Sequence, residues 1–274
     1  MIDNYSHVDP KIFYISESIP GPREDSKEYS NLINNYNSQI TQSCDCVKIC
    51  PQECDCILLS KIHYSTIQTS KASKIYENNE IENLGNSYIL ECNDTCTCTE
   101  ECSNRTVQKG PIKNLKIKLC SSEAKGYGLF TKSYIPKGIF ICEYAGEIIT
   151  KSEADRRQSS NASGQKMNYI FCLNEVVENQ KMQTFIDPSE FGNIGRYINH
   201  SCSPNSVVLP VRVNCPIPKL AIFSCCDISP EEEITFHYGV DSLTCSTQNT
   251  LNDRKLCLCQ SPQCSGLIPF NTYC

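Results

Sequence analysis

The apolar positions of this chain fall in short runs broken by glycine and proline. The runs are densest between about residues 115 and 225. Leu115-Lys116-Ile117-Lys118-Leu119 alternates apolar and cationic side chains, the period of a strand with one face buried. Further strands are predicted at 128–131, 138–144, 168–173, 184–187, 206–209 and 219–225. Gly and Pro turns separate them at short intervals, so the pattern predicts a mainly β domain. One helix is predicted over 152–157 with Ser152 as its cap, ending before the Ser- and Gly-bearing stretch 159–164, read as a loop. Residues 1–43 are polar, rich in Asn, Ser and Tyr, with a Pro20-Gly21-Pro22 break. Phe13-Tyr14-Ile15 is a candidate short strand or anchor there, and the rest is expected to be an arm lying loosely on the next domain.

Cysteine changes the reading of the flanks. The chain has 21 cysteines, nine of them in 44–102, in two groups. The first is Cys44, Cys46, Cys50, Cys54 and Cys56; the second is Cys92, Cys96, Cys98 and Cys102, with a variable loop between. The count is odd and the spacing is C-x-C rather than that of a disulfide framework. Met1-Ile2-Asp3-Asn4 does not open the pattern of a signal peptide. Clustered thiols in a reducing compartment are metal ligands, with a disulfide-rich secreted chain as the alternative. Nine thiolates fill twelve tetrahedral positions when six are terminal and three bridge, which predicts three zinc ions standing in for the apolar core this segment lacks. Iron–sulfur chemistry fits less well, since no C-x2-C-x2-C run is present. At the other end, Cys257, Cys259 and Cys264 supply three quarters of a tetrahedral site, and Cys202 is the candidate fourth ligand. The remaining cysteines, among them Cys225 and Cys226, are read as small hydrophobes, and those two as pointing to opposite faces of a strand.

A length of 274 residues suits one large domain or two small ones. The formal charge of -6 argues against nonspecific DNA binding and is compatible with a cationic peptide partner. Metal loading makes it more negative: three Zn2+ with nine thiolates carry -3 and one with four carries -2, giving about -11. No apolar run approaches the length of a membrane span.

Two segments concentrate candidate chemistry. Gly192-Asn193-Ile194-Gly195-Arg196-Tyr197-Ile198-Asn199-His200-Ser201-Cys202-Ser203-Pro204-Asn205 sets Asn, His and Cys side by side, and Glu233-Ile234-Thr235-Phe236-His237-Tyr238-Gly239 follows about thirty residues later. Together they resemble the paired signature of the SET-domain protein lysine methyltransferases. The nine-cysteine segment is similar to the pre-SET region of the SUV39-like members, which act on histone H3 lysine 9, and the three C-terminal cysteines to the post-SET zinc site. The strings Val107-Gln108-Lys109-Gly110, Cys142-Glu143-Tyr144-Ala145-Gly146-Glu147 and Phe185-Ile186-Asp187-Pro188 add to the likeness. The resemblance implies a SET domain of short curved sheets with knot-like C-terminal threading, flanked by zinc-organised pre-SET and post-SET segments. The divisions it implies are an arm at 1–43, the pre-SET three-zinc cluster at 44–102, a connecting strand at 103–119, the SET domain at 120–245 and the post-SET segment at 246–274.

By the same resemblance the cofactor is S-adenosyl-L-methionine, held by Lys125, Gly126, Tyr127, Gly128, Arg196, Asn199 and His200. Tyr238 matches the catalytic tyrosine, and Tyr169 and Phe236 match positions shaping the lysine channel. Tyr238 is not assigned as a simple base, because an ordinary tyrosine titrates near about 10. Phe at 236 in place of Tyr removes a hydroxyl that crowds out higher methylation, which predicts di- or trimethylation. His237 stands where relatives carry Asp, and Phe171-Cys172-Leu173-Asn174 is uncharged where relatives favour acids. Leu256 or Leu258 is expected to complete the lysine channel. The implied partners are the histone H3 tail and the nucleosome, in the nucleus on the chromosome, with no membrane and no sequence-specific DNA binding. Lysine 36 is the alternative target; a catalytically weak chromatin scaffold and a non-histone methyltransferase are the alternatives in function. A protease built on Cys202 and His200 fits poorly, since near-adjacent residues seldom converge as a dyad.

Overall fold

The computed structural model describes Tyr5 and residues 7–64, 88–161, 167–177, 180–239 and 255–269. Cys245 and Cys274, and most of the loop expected between the two cysteine groups, lie outside the described residues. In chain order the elements are β1 (Phe13–Tyr14), β2 (Ile19–Pro20), α1 (Lys27–Asn37), α2 (Asp55–Leu58), β3 (Ile89–Leu90), β4 (Leu115–Leu119), β5 (Tyr127–Thr131), β6 (Phe140–Glu143), β7 (Glu147–Ile149), α3 (Lys151–Ser160), β8 (Phe171–Val177), β9 (Gln180–Asp187), β10 (Phe191–Gly192), β11 (Asn199–His200), β12 (Ser206–Arg212), β13 (Lys219–Ser224) and β14 (Thr235–Phe236). The architecture is mainly β; the predicted strand at Leu115–Leu119 is present with its expected bounds and the others with shifted ends.

Two four-stranded sheets, ordered β3-β12-β13-β6 and β2-β7-β9-β8, are joined by the antiparallel β4–β5 pair and by two short parallel pairs, β1–β10 and β11–β14. Leu129, Ile141, Ile198, Ile222, Ile234 and Phe236 are buried together at the centre. Their strands come from distant parts of the chain, so long-range pairing rather than local propensity assembles this core.

The N-terminal arm is not loose. β1 and β2 pair in parallel with β10 and β7, which satisfies their backbone groups at sheet edges. Helix α1, absent from the sequence expectation, is capped by Ser26, whose hydroxyl accepts from the Tyr29 N–H at 3.0 Å. Its Leu32 and Tyr36 pack on the central core. A signal for this helix is present in the sequence: Tyr29, Leu32, Ile33 and Tyr36 fall at i, i+3, i+4 and i+7 after the Ser26 cap, and they form its half-buried face.

Helix α3 is longer than expected and begins one residue earlier than Ser152. Thr150 is the cap, its hydroxyl accepting from the Glu153 N–H at 3.0 Å. Ser152 lies in the first turn and donates its hydroxyl to Glu28. The Thr150-x-x-Glu153 spacing is the signal that favours the earlier start. Cys225 and Cys226 lie beyond the end of β13, so strand alternation does not govern them. Both thiols turn toward the Pro204–Asn205 backbone, 3.4 Å from Pro204 O and 4.0 Å from Asn205 O.

Candidate active site and zinc centres

The segment 192–205 is held rigidly. The Asn193 side chain caps the 3₁₀ turn Ile194–Tyr197 by accepting from the Gly195 N–H at 2.9 Å. A Cβ on Gly195 would sit 2.5 Å from Glu143 O, so the turn packs where only glycine fits. β11 then pairs in parallel with β14, setting Asn199 opposite Thr235 and His200 opposite Phe236. Asn205 fastens the exit: its amide donates to Glu233 O at 2.8 Å and its oxygen accepts from the Thr235 N–H at 2.9 Å. The two sequence segments of interest are thereby one structural unit.

The turn before β5 completes one neighbourhood. Gly126 adopts φ +73, a conformation that favours glycine. Gly128 lies so close to its surroundings that a Cβ there would be 2.7 Å from Glu233 Oε1 and 2.8 Å from Cys120 Sγ. Asn199 Nδ2 donates to Tyr127 O at 3.1 Å and to Glu233 Oε1 at 2.8 Å, while Lys125 pairs with the other Glu233 oxygen. Lys125, Gly126, Tyr127, Gly128 and Asn199 therefore converge, and Glu233 is the hub. Burial, then the Glu233 carboxylate, pushes the neighbouring Cys120 thiol up to about 11, so it stays protonated.

His200 takes a defined tautomer. The Tyr238 N–H donates to its Nδ1 at 3.2 Å, so the proton resides on Nε2, which faces Cys202 Sγ at 3.5 Å. Burial holds His200 down to about 4, with His237 and Lys125 adding smaller effects, so the ring is neutral at physiological pH. The His237 ring meets His200 edge-on at 4.8 Å. Tyr238 is pushed up, first by burial, and its hydroxyl donates to Ile198 O at 2.9 Å. It is therefore a proton-bearing hydroxyl, suited to orienting a polar group rather than to acting as a free phenolate base.

The second neighbourhood is an open cleft of about 1320 Å³. Its inner wall includes Tyr144, Tyr169, Phe171, Phe236 and Tyr238. Phe236 is 1% exposed, with ring centroids 5.8 Å from Tyr144, 5.9 Å from Phe171 and 5.0 Å from Tyr238. The Tyr144 hydroxyl is taken up by Tyr169 O at 2.7 Å, which keeps this wall apolar around Phe236. The Arg196 guanidinium lies 4.7 Å from the Tyr169 ring and 5.0 Å from that of Tyr197, with Nε donating to Pro188 O at 3.0 Å. From the C-terminal segment Lys255, Ile268 and Pro269 line the cleft. Leu256, expected in the channel, is instead 71% exposed and, like Leu258, is not part of the lining. The turn carrying Gly126 and Gly128, together with Asn199 and His200, does not line the cleft either. Tyr238 is where the two neighbourhoods meet, its backbone bound to His200 and its ring on the cleft wall.

The cysteines gather as spacing predicts. Cys44, Cys46, Cys50 and Cys54 form one set whose sulfurs lie within 4.8 Å of one another. Cys44, Cys56, Cys92 and Cys96 form a second, and Cys44, Cys50, Cys92 and Cys98 a third. Cys102 belongs to the same buried cluster but to none of these sets. Tetrahedral zinc with bonds of about 2.3 Å requires sulfurs about 3.8 Å apart; here Cys44–Cys50 is 3.5 Å, Cys50–Cys92 3.5 Å and Cys56–Cys96 3.7 Å. Burial pushes the Cys44 thiol up to about 12, so a thiolate there requires a cation beside it. Cys202, Cys257, Cys259 and Cys264 form a separate half-buried set, with Cys202 and Cys257 sulfurs 3.8 Å apart. The donor chemistry and spacing of both centres fit zinc.

A SET-domain model matches residues 126–239 and a pre-SET motif model matches residues 1–105. The Caenorhabditis elegans protein named probable histone-lysine N-methyltransferase set-23 is 33% identical over 261 residues, 94% of this chain and 96% of that one. The chain belongs to the SET-domain histone-lysine N-methyltransferase family. Human histone-lysine N-methyltransferase SETMAR is 43% identical over 195 residues, covering 68% of this chain and 28% of that protein. The chain spans less than two thirds of the length of the SETMAR relatives it matches. The crystal structure of the methyltransferase domain of human SETMAR superposes with a TM-score of 0.73 at 30% identity, over 98% of this chain and 93% of that one.

Within this SET-domain architecture, sequence reasoning missed Glu233, Cys120 and Ile198. Glu233 is the last of three consecutive acids, Glu231, Glu232 and Glu233, and nothing in that run distinguishes it. Ile198 contributes a carbonyl, which any residue carries.

Proposed function

We propose that the chain is an S-adenosylmethionine-dependent protein-lysine N-methyltransferase acting on the histone H3 tail, in chromatin within the nucleus. The observation that carries this reading is the junction at Tyr238, where a polar Asn–His neighbourhood meets an aromatic cleft. A methyl donor in the first and a lysine in the second would face each other across one hydroxyl. Lys125, Gly126, Tyr127, Gly128, Asn199 and His200 of the first neighbourhood are the proposed donor-binding residues, joined by Arg196 from its stack on Tyr169 at the border of the second, and the donor would supply an electrophilic methyl group on a sulfonium. Tyr169, Phe236 and Tyr238 are the proposed channel residues.

The target amine must be neutral to react. A free lysine with pKa about 10.4 carries a cost of roughly 4–5 kcal/mol to reach that state at pH 7. The apolar wall of Phe171 and Phe236 disfavours an ammonium and lowers that cost. The Tyr238 hydroxyl, donating its proton to Ile198 O, would accept an N–H of the amine and so turn the amine lone pair toward the methyl group for in-line transfer. With the Tyr144 hydroxyl engaged, no side-chain hydroxyl on Phe236 or Phe171 competes for the amine, which favours di- or trimethylation.

The pre-SET segment is assigned three zinc ions. Cys44, Cys50 and Cys92 recur among the sulfur sets and would be the ligands shared between ions. Cys46 with Cys54, Cys56 with Cys96, and Cys98 with Cys102 complete the three ions as terminal pairs. Cys202, Cys257, Cys259 and Cys264 would hold a fourth ion. Lysine 9 is the favoured target on the strength of the nine-cysteine segment.

The deciding experiment is methyl transfer to intact H3 and to tail peptides with each lysine replaced in turn. Loss of transfer on replacing lysine 9 supports the full reading, and loss on replacing lysine 36 moves the target. Binding of donor with no transfer to any substrate, at four zinc ions per chain, would favour a scaffold and sink the enzymatic reading. A product that stops at monomethyl-lysine would overturn the assignment at Phe236.

A further inference from the structure

One side chain of the N-terminal arm, His7, reaches the segment that carries Arg196 and Asn199. His7 Nε2 lies 3.0 Å from Gly192 O, and since a carbonyl only accepts, Nε2 carries the proton. Nδ1 is then an acceptor; it takes the Tyr5 hydroxyl in a close hydrogen bond and faces the Tyr197 hydroxyl at 3.3 Å. The rings are set together, with His7 to Tyr5 centroids 4.9 Å apart and His7 to Tyr197 6.0 Å. Tyr197 is 7% exposed and carries the Arg196 guanidinium near its ring. Arg196 in turn lies against Tyr169, on the cleft wall. The same arm continues as β1, which stacks Phe13 on the cleft residue Phe191 at 5.2 Å, and then contributes Ile19, Pro20, Gly21 and Pro22 to the cleft lining.

We infer that His7 is a positioning residue of the active site: by holding Tyr197 and the Gly192 carbonyl, it fixes the Arg196–Tyr169 stack and makes residues 5–22 part of the catalytic unit. The inference rests on the proposed function for what the stack does, while the contacts themselves stand on geometry alone. A purely adhesive arm has no reason to spend a half-buried imidazole, with both nitrogens engaged, on the segment that carries Arg196 and Asn199. Losing His7 frees the Tyr197 hydroxyl and removes one of the two donors to the Gly192 carbonyl, which keeps the Ile15 N–H at 3.0 Å. With Ile15 still serving Gly192, the unreplaced contact is the one at Tyr197, and one neutral hydrogen bond corresponds to a change of about two- to tenfold in whatever equilibrium the stack controls.

The test uses the full chain with zinc bound, as His7→Ala, His7→Asn, Tyr197→Phe and the His7→Ala/Tyr197→Phe double variant. Zinc content, thermal unfolding, KM for S-adenosylmethionine, kcat and Kd for S-adenosylhomocysteine are measured on each. His7→Ala is expected to raise the donor KM and the S-adenosylhomocysteine Kd about two- to tenfold, with kcat and zinc content little changed. His7→Asn keeps an acceptor close to the Nδ1 position and is expected to restore binding to within about twofold. The double variant is expected to be no worse than His7→Ala, because both changes break one linkage. Unchanged donor affinity in His7→Ala overturns the inference, as does a uniform loss of stability and kcat that His7→Asn does not relieve. A wild-type chain that binds S-adenosylhomocysteine without turnover sinks the proposed function and leaves the His7 effect readable in the binding constants. A wild-type chain that binds none overturns both.

Discussion

The nine cysteines of 44–102 and the four at Cys202, Cys257, Cys259 and Cys264 offer the same ligand atom in opposite settings. Eight of the nine are buried, and their sulfur sets overlap through shared members. The four are all half-exposed and share none of their sulfurs with another set. The first group packs mainly against itself, with Ile57 at its border, and contributes nothing to the lining of the cleft. The second joins Cys202, two residues beyond His200, to a C-terminal segment that carries Lys255, Ile268 and Pro269 into the cleft. Sharing and burial mark a centre that replaces an apolar core. Exposure and long sequence separation mark a joint between parts of a site. In the proposed assignment one centre therefore governs folding and the other governs turnover.

The largest expected effect breaks the first centre at a shared sulfur. Cys50→Ser removes a ligand common to two sets and should lose more than one zinc, with a destabilisation of about 5 kcal/mol or more and failure of the segment to fold. Cys46→Ser, at a half-exposed sulfur belonging to one set, should do markedly less. Zinc quantification beside denaturant unfolding reads both. Equal losses in the two variants would refute the bridging assignment.

The second centre should separate activity from stability. Cys259→Ser is expected to lower kcat/KM about ten- to a hundredfold, as loss of a metal-positioning group typically does, while the midpoint of unfolding moves little. Donor affinity should fall with it, because the His200 Nε2 proton faces the Cys202 sulfur on one side of the ring and Nδ1 holds the Tyr238 backbone on the other. A wild-type rate with one zinc missing would break the comparison at its second term.

A third variant probes how the folding centre is tied to the SET domain. The buried Glu91 carboxylate accepts from the Thr106 N–H at 2.6 Å, the Val107 N–H at 2.7 Å, the Gln108 amide at 2.8 Å and the Tyr64 hydroxyl. Arg105 beside it donates to Cys92 O at 3.0 Å and Asn93 O at 2.8 Å. Glu91→Gln turns an NH2 group toward backbone donors and leaves at least one unpaired, for a loss of about 1–3 kcal/mol with zinc retained. Loss of zinc in this variant would show that cluster and joint are not separable.

What could be read without coordinates follows the same division. Cysteine spacing showed both centres, because a chelate constrains residues close in sequence and thiols have few other reasons to crowd. Leu115–Leu119 and the later strands showed as well, since one buried face imposes a period of two. The strands of the arm did not: β1 and β2 have two residues each and take their partners from β10 and β7, far along the chain. Glu233, Glu91 and His7 were also silent. Each acts through what stands opposite it, and an acid or imidazole among polar neighbours carries no periodic signature. The family likeness supplied Asn199 and Tyr238 but not the Glu233 hub that holds Asn199.

The smallest expected effect concerns which face of the C-terminal segment meets the cleft. Leu256 and Leu267 form an antiparallel bridge, and the Ile268 N–H donates to Lys255 O at 2.9 Å. Side chains alternate along extended chain, so Lys255 and Ile268 face one way while Leu256 and Leu267 face the other. The cleft lining contains the first pair and omits Leu256. Ile268→Ala should therefore raise the peptide KM about threefold through lost apolar contact, with donor KM unchanged. Leu256→Ala should leave both constants within about twofold of wild type, since that side chain is 71% exposed. The reverse ranking would mean that the four-cysteine joint presents its other face to substrate. The second centre would then govern turnover through Leu256 instead.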